Sequence, residues 1–272
     1  MPATAPCMPV LFVPHGAGPC FFMDWDPPGT WDRMAAWLRS IPGSLPARPA
    51  AILLITAHWL AEQPSMSSSA RPGLLFDYNG FPPHTYELTY PAPGAPALAQ
   101  QARDLLEQAG FSPMLDPERG YDHGTFIPLK VAFPKADVPV LQMSLLQSLD
   151  PAEHLRMGQA LAPLRRQGVL IVGSGMSWHN QRAYRDARST APAQAFYAWL
   201  VDALARPAAE RNALLADWAH ASGDVGRLAH PPGREEHLLP LHVAAGAAGA
   251  SAGRKVFGDN VMSVEISAFR FD

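Results

Sequence analysis

Ten histidines stand out in this 272-residue chain, because it contains only three lysines and two cysteines. Histidine is the commonest metal ligand and the side chain that titrates nearest neutral pH. Three of the ten come at or just after apolar runs: His15 after VLFVP, His58 after AILLITA and His179 after VLIVG. If these runs are strands of one α/β sheet, their carboxyl ends lie where such sheets bind ligands. The three positions therefore predict a shared site.

Two further histidines are candidates for that site. His237 follows PPGREE and is predicted to begin a helix, whose first side chains can point at a site, whereas His123 lies in YDHGTFIPL, a predicted loop before an apolar helix. His242 is five residues beyond His237, about 140° around a helix, so we expect it in the core or on the surface. Each candidate could instead be a hydrogen-bonded structural histidine. Surface, helix or supporting roles are expected for His84, His154, His220 and His230.

The sequence contains none of the usual compact catalytic or metal motifs. It has no H-E-x-x-H, C-x-x-C, EF-hand loop, G-x-S-x-G, P-loop or G-x-G-x-x-G. GSGMS at 173–177 is the nearest glycine-rich loop, but it lacks a third glycine and a following helix. A dinucleotide fold is therefore disfavoured, while ligands from separate strand ends still allow a non-haem metal.

Alternating apolar and amphipathic segments predict the elements that must position these histidines. Continuous or nearly continuous apolar runs indicate buried strands at 10–14, 51–57, 138–145 and 168–175, and 261–271 alternates like a strand nearer an edge. Helical periodicity predicts helices at 30–39, 95–110, 151–167, 192–218 and 235–248. The alternation indicates an α/β fold, a single-domain αβα sandwich over residues 1–272 with a central mixed, mostly parallel sheet.

One long stretch, 61–94, is rich in Pro, Gly and aromatic residues and is predicted to be irregular. Such loops often shape active sites in α/β folds. Its Phe81, Tyr86 and Tyr90 could line a site for an aromatic ring or belong to the core.

Composition excludes several classes of protein. The chain is 48% apolar and 17% charged with a net charge of −3, which excludes a disordered chain and a general nucleic-acid binder. Cys7 and Cys20 are too few for a disulfide scaffold. We find no signal peptide in MPATAPCMPV and no apolar run near the ~20 residues that span a bilayer. We expect a cytoplasmic protein with reduced thiols and no membrane partner, and a homo-oligomer is left open.

Six segments carry a family resemblance, in this order: PHGAGP at 14–19, AILLITAHW at 51–59, FDYNGFPPHTYELTYPAPG at 76–94, YDHGTFIPLKVAFPKADVPVLQMSL at 121–145, GVLIVGSGMSWHN at 168–180 and REEHLLPLHVAAGAAG at 234–249. They resemble the class III extradiol ring-cleavage dioxygenases, specifically the DOPA 4,5-dioxygenase-like branch, which is related to the catalytic subunit of protocatechuate 4,5-dioxygenase. The likeness covers nearly the whole chain. It is specific for the family but not for the substrate, because HGAGP replaces HGSP and CFFMDWDPPGTW at 20–31 departs from the family pattern.

The resemblance assigns roles to five histidines. It implies that His15 and His58 are the first two metal ligands and that His237 is the third, where the protocatechuate-type enzymes have a glutamate. It implies that His179 is the acid–base residue and that His123 contacts substrate and oxygen.

The implied reaction is extradiol cleavage of a catechol-type aromatic, DOPA-like or other, with incorporation of both atoms of O₂. Fe(II) with open coordination positions suits this chemistry, and Zn(II) could occupy the same site in purified protein. A zinc-dependent hydrolase, a non-enzymatic metal-binding member of the fold and a cleaver of aminophenol or gallate-like rings remain alternatives. Arg182 and Arg185 are candidates for binding a substrate carboxylate, or are simply solvated.

Overall fold

A single eight-stranded sheet organises the chain in the computed structural model, which describes residues 6–272. The first five residues, part of the segment assessed for a signal peptide, lie outside the described residues. The strands are β1 (Val10–Pro14), β2 (Ala51–Ala61), β3 (Ser65–Ser67), β4 (Met114–Asp116), β5 (Val140–Leu146), β6 (Val169–Gly175), β7 (Gly253–Val261) and β8 (Val264–Phe271). Their order in the sheet is β4-β3-β5-β2-β6-β1-β8-β7.

The four central strands, β5, β2, β6 and β1, run parallel. Every residue of β1, β5 and β6 is buried, as expected for parallel strands covered on both faces. At one side β8 pairs antiparallel with β1 and β7 with β8, and at the other β3 pairs antiparallel with β5 and parallel with β4. The predicted α/β fold with a mixed, mostly parallel sheet is confirmed.

Nine α-helices accompany the sheet within the described residues. They are α1 (Asp32–Ser44), α2 (Pro96–Gln108), α3 (His123–Ala132), α4 (Pro151–Leu161), α5 (Thr190–Ala205), α6 (Ala208–Ala216), α7 (Trp218–Ala221), α8 (Asp224–Ala229) and α9 (Leu239–Ala247). None of these helices is both long and apolar enough to cross a membrane.

Helices cover both faces of the sheet. Successive residues of a strand face opposite sides, and β6 shows the consequence. Val172 lines the interior beneath α1 and α3, whereas Gly173 lies directly against α9. A Cβ on Gly173 would meet the Pro240 carbonyl oxygen at 2.2 Å, so this glycine allows α9 to lie close on the sheet. Helix α4 packs on α9 as an outer layer.

Two buried arginines hold the C-terminal end of α9. Arg165 donates to the carbonyl oxygens of Ala247 and Ala248 at 3.3 and 3.1 Å. Arg211, from α6, donates to Ala245 and Gly249 at 2.9 Å each. Positive charge is favourable at the end of a helix where unpaired carbonyl groups gather. These contacts anchor the helix that follows His237.

Several predicted element boundaries are wrong for identifiable reasons. The segment 261–271 is not one strand: β7 and β8 form a hairpin whose turn, Met262 and Ser263, has positive φ angles of 49° and 75°. The predicted helix 192–218 breaks at Arg206 and Pro207, because proline lacks the N–H that continues a helix. The short strands β3 and β4 were not predicted, since three residues carry too little pattern.

Candidate metal centre

His15 is the first residue after β1, as predicted, and only 1% of it is exposed. Its backbone N–H donates to the carbonyl oxygen of Gly175, the last residue of β6, at 3.2 Å. The parallel pairing of β1 with β6 therefore continues one residue past β1. This pairing holds His15 at the carboxyl edge of the central strands.

His58 lies inside β2 rather than after it, because β2 continues to Ala61. The pairing of β2 with β5 shifts register between Ile55 and Leu60, so His58 falls in an irregular part of the strand. Irregularities of this kind re-aim side chains beside active sites. The His58 N–H donates to the Thr56 hydroxyl at 3.1 Å, which fixes the local backbone.

His237 precedes α9 and does not begin it, since the helix starts at Leu239. It lies in a turn pressed against the end of β6, where the Met176 N–H donates to the His237 carbonyl oxygen at 3.0 Å. The approach is so close that a Cβ on Gly175 would lie 2.1 Å from that oxygen. The two backbones hold His237 buried beside His15.

The imidazole nitrogens of these three histidines converge. The Nε2 atom of His58 is 3.3 Å from the Nε2 of His15 and also 3.3 Å from the Nε2 of His237. A proton on Nε2 of His58 can satisfy only one of these two contacts, and without that proton the Nε2 lone pair faces both neighbouring nitrogens. Two nitrogens bound to one tetrahedral metal at about 2.0–2.1 Å are separated by about 3.3 Å. The three residues therefore fit a divalent cation bound between them.

His123 and His179 flank this cluster. His123 is the first residue of α3, rather than part of a loop before it, and the Asp122 side chain caps the helix by accepting the Thr125 N–H at 3.1 Å. The His123 ring centre is 3.8 Å from that of His58. The rings of His179 and His237 stack, with centres 3.3 Å apart and planes 12° from parallel.

All five predicted site histidines thus lie together, in two adjacent groups of ligand atoms that share no residue and are joined by the 3.3 Å contact between His58 and His237. In each group these atoms lie within 4.8 Å of one another: His15, His58 and His123 in one, and His179, Glu236 and His237 in the other.

Two carboxylates that sequence reasoning did not assign to the site lie behind the histidines. Asp77 is 2.8 Å from Nδ1 of His123 and 3.6 Å from Nδ1 of His58. Glu236 is 3.2 Å from Nδ1 of His237 and 3.8 Å from Nδ1 of His179. Asp77 belongs to the irregular 61–94 stretch, where no spacing marks it. Glu236 is the direct neighbour of His237, and that adjacency was the available signal.

Burial and neighbouring positive charge lower the pKa values of four of the clustered histidines. Burial is the largest cause that lowers the pKa values of His15, His58 and His237 well below the ordinary value, and the neighbouring histidines lower them further. Burial also lowers the pKa of His179 to about 4. Metal binding requires neutral imidazole, so these histidines need lose no proton to bind a cation at neutral pH.

The pKa values of the two carboxylates shift in opposite directions, although burial raises both. Burial alone would raise the pKa of Asp77, but hydrogen bonds from His123 outweigh it and the pKa lies below its usual value. Burial raises the pKa of Glu236. Asp77 is therefore a charged acceptor at neutral pH.

The cluster opens into a cavity of about 740 Å³. Its walls beyond the histidines include Trp25, Trp31, Tyr78, Phe81, Met176 and Arg185. The sequence left open whether three aromatic residues of the 61–94 stretch line the site or belong to the core, and the structure now places each of them. Phe81 lines the cavity, Tyr86 packs against Tyr78 with ring centres 5.2 Å apart, and Tyr90 is a core residue with 3% exposure.

The structure places the two candidate arginines in different surface cavities. Arg185 lies on the cavity wall and pairs with Asp26 at 3.7 Å. Arg182 lines a different surface depression beside Trp178.

The remaining histidines take structural or surface positions, as expected. His154, His230 and His242 are fully buried, and His84 and His220 are exposed. In His154, Nε2 accepts the Leu146 N–H at 3.0 Å and Nδ1 donates to the Asp150 carbonyl at 2.6 Å. This pattern requires a neutral ring.

Comparison with known proteins is consistent with this site. Residues 11–269 match the family described as the catalytic LigB subunit of aromatic ring-opening dioxygenase. The chain is 39% identical to the dioxygenase tasH of Hapsidospora irregularis, over 96% of this chain and 84% of that protein. It is 38% identical to the 4,5-DOPA dioxygenase extradiol of Beta vulgaris, over 89% and 87% of the two chains.

Among solved structures, an uncharacterized protein from Escherichia coli K12 superposes with a TM-score of 0.72 at 30% identity, covering 97% of this chain and all of that one. The resemblance to class III extradiol dioxygenases is thereby confirmed. The chain belongs to the family of the catalytic LigB subunit of aromatic ring-opening dioxygenases and is an extradiol dioxygenase.

Proposed function

We propose that the chain, as one catalytic domain, uses Fe(II) and O₂ to cleave a catechol-type ring beside its two hydroxyl groups. The observation that carries the proposal is the convergence of His58 Nε2 on His15 and His237, at 3.3 Å from each, at the base of a large cavity. A neutral three-nitrogen cluster suits a divalent ion that keeps open positions for substrate and oxygen. The names of the relatives support ring cleavage.

His15, His58 and His237 would hold the ion. Bound iron would supply the electrons and the open positions that oxygen chemistry needs. Zn(II) would fit the same donors but has no redox chemistry. Three neutral ligands leave the full charge of the ion to attract an anionic catecholate.

His179 would act as the acid–base residue. Its pKa of about 4 leaves it neutral at physiological pH, with a free lone pair that can accept a catechol proton. Positioned proton transfer of this kind contributes about 10²–10⁴-fold to rate. His123, whose Nδ1 is held by Asp77 at 2.8 Å, would present its other nitrogen to the second substrate oxygen or to dioxygen.

The substrate we propose is a catechol with a substituent, DOPA-like or another. The cavity is within the ~300–1,000 Å³ range of small-molecule sites and larger than one ring requires. Phe81 and Tyr78 offer aromatic walls, with ring centres 5.5 Å apart. Arg185 is the one Lys or Arg on the wall of the cavity within the described residues, so it is our candidate for contacting a carboxylate on the substituent.

The test is anaerobic reconstitution with Fe(II), followed by a panel of catechols, aminophenols and gallate-like rings in an oxygen electrode. We expect oxygen consumption with at least one catechol, and two ¹⁸O atoms in the product from ¹⁸O₂. Zn(II)-loaded protein is the matched control and should consume none. Failure to consume oxygen with every ring overturns the proposal. Oxygen-independent turnover by the zinc-loaded protein would instead support a zinc-dependent hydrolase.

A further inference from the structure

Asp77 and Glu236 divide four of the five clustered histidines between them. Each carboxylate faces one proposed metal ligand and one histidine proposed to act on the substrate, in the pairs His58 with His123 and His237 with His179. We propose that Asp77 and Glu236 are positioning residues that hold these four imidazoles as Nδ1–H tautomers, so that every Nε2 lone pair is free for the metal or the substrate. The inference rests on the proposed function, which supplies the ligand roles.

Asp77 uses a different oxygen for each histidine. Its Oδ1 accepts both the backbone N–H of His123, at 2.9 Å, and the Nδ1–H of the same residue, at 2.8 Å. Its Oδ2 faces Nδ1 of His58 at 3.6 Å. That distance is a charge contact rather than a hydrogen bond. It still favours a proton on Nδ1, because a lone pair there would face an anion.

Glu236 instead presents one oxygen to both of its histidines. Oε1 is 3.2 Å from Nδ1 of His237 and 3.8 Å from Nδ1 of His179. Both Nδ1 atoms of this stacked pair therefore lie on the side of Glu236. Oε1 therefore accepts a hydrogen bond from His237 and makes a charge contact with His179.

The tautomer matters because a neutral imidazole has one lone pair. If His58 carried its proton on Nε2, that N–H would point into the 3.3 Å gaps toward His15 and His237, where the ion would bind. Carboxylates behind metal-binding histidines fix tautomer and ring orientation, and their loss typically costs about 10–100-fold in metal affinity.

The different use of the carboxylate oxygens predicts that Asp77→Asn and Glu236→Gln differ in their effect on the histidine tautomers and hence on metal binding. In Asp77→Asn the amide oxygen must remain on the His123 side, where two N–H groups need it. The NH₂ group then faces Nδ1 of His58, and two donors meet, which drives the His58 proton to Nε2. Glu236→Gln keeps an oxygen at the position that faces both His237 and His179, so both histidines keep the Nδ1–H tautomer.

The experiment measures Co(II) affinity by chelator competition, together with the Co(II) absorption spectrum, in both variants. Asp104→Asn and Glu107→Gln, on the exposed side of α2, are matched controls. We expect Asp77→Asn to weaken binding by about 10–100-fold and to alter the spectrum, whereas Glu236→Gln and the controls stay within a few-fold of wild type. Unchanged affinity in Asp77→Asn, or equal losses in both variants, overturns the proposal.

A measurement on the wild type covers the case in which Asp77→Asn fails to fold. Long-range ¹H–¹⁵N spectra of the histidine-labelled, metal-free protein distinguish the two tautomers directly, with assignments from single histidine variants. We expect Nδ1–H signals for His58, His123, His179 and His237. An Nε2–H tautomer at His58 or His237 overturns the proposal. Neither readout involves turnover, so failure to cleave any ring would leave these outcomes separate from the proposed reaction.

Discussion

Gly175 is the backbone position on which two of the proposed ligands depend. Its carbonyl accepts the His15 N–H at 3.2 Å, and a Cβ placed on it would lie 2.1 Å from the carbonyl oxygen of His237. That oxygen belongs to backbone and cannot rotate away. We predict that Gly175→Ala displaces the His237 segment and weakens metal binding.

The distance from a Cβ on Gly175 to the His237 carbonyl oxygen sets how far the His237 backbone must move in Gly175→Ala. Ordinary contact begins near 3.4 Å, so the His237 backbone must retreat by about 1.3 Å. Catalytic groups tolerate about 0.5 Å, and a misplacement of about 1 Å can cost 10²-fold in rate. Overpacking a core typically costs about 1–3 kcal/mol of unfolding free energy, less than a domain's usual total of about 5–15 kcal/mol. The variant should therefore fold and bind metal poorly.

The assay combines metal content per chain, Co(II) affinity, thermal unfolding and oxygen consumption of the iron-loaded protein. Gly43→Ala is the matched control, because no atom lies within 4 Å of a Cβ at that position in α1. It should leave metal binding and rate unchanged. Wild-type metal affinity and rate in a folded Gly175→Ala protein would refute the positional argument.

Three further predictions follow from individual histidines. His237→Ala should lose the metal and keep a cooperative unfolding transition, and full metal occupancy would remove it from the ligand set. His179→Ala should retain most of its metal and lose about 10²–10⁴-fold in rate, whereas metal loss equal to that of His237→Ala would make it a ligand. Burial lowers the pKa of His154, so the unfolded chain binds a proton first and stability falls as pH drops below 6.5. His154→Gln should remove about 1.4 kcal/mol per pH unit of that slope in denaturant titrations, and an unchanged slope would contradict the prediction.

The central sheet was predictable because its pattern is local. β1 is a continuous apolar run and β2, β5 and β6 are nearly so, and buried parallel strands leave that signature without knowledge of their partners. The convergence of the histidines followed from a general property of such sheets, that strand ends on one edge share a site. The prediction of a common location for His15 and His58 needed no contact information.

What the sequence could not predict depends on contacts between distant segments. Asp77 is brought to His58 and His123 by an irregular loop with no repeating pattern to read. The turn before α9 arises because the backbone of His237 pairs with Met176, which helix periodicity does not encode. Tyr90 lies in the core, whereas Phe81, in the same irregular stretch, faces the cavity. Packing decides between these positions, and the local sequence does not.

The proposed ligands lie far apart along the chain, just after β1, on β2 and just before α9. A bound ion would therefore tie the first strand of the sheet to the last helix, as a cross-link that only the folded chain can form. Metal present at a thousand times its dissociation constant would add about 4 kcal/mol to the free energy of unfolding. Chains that fold under metal starvation would open more often and be degraded faster. Cellular metal supply would then set how much of this enzyme persists, before any substrate is present.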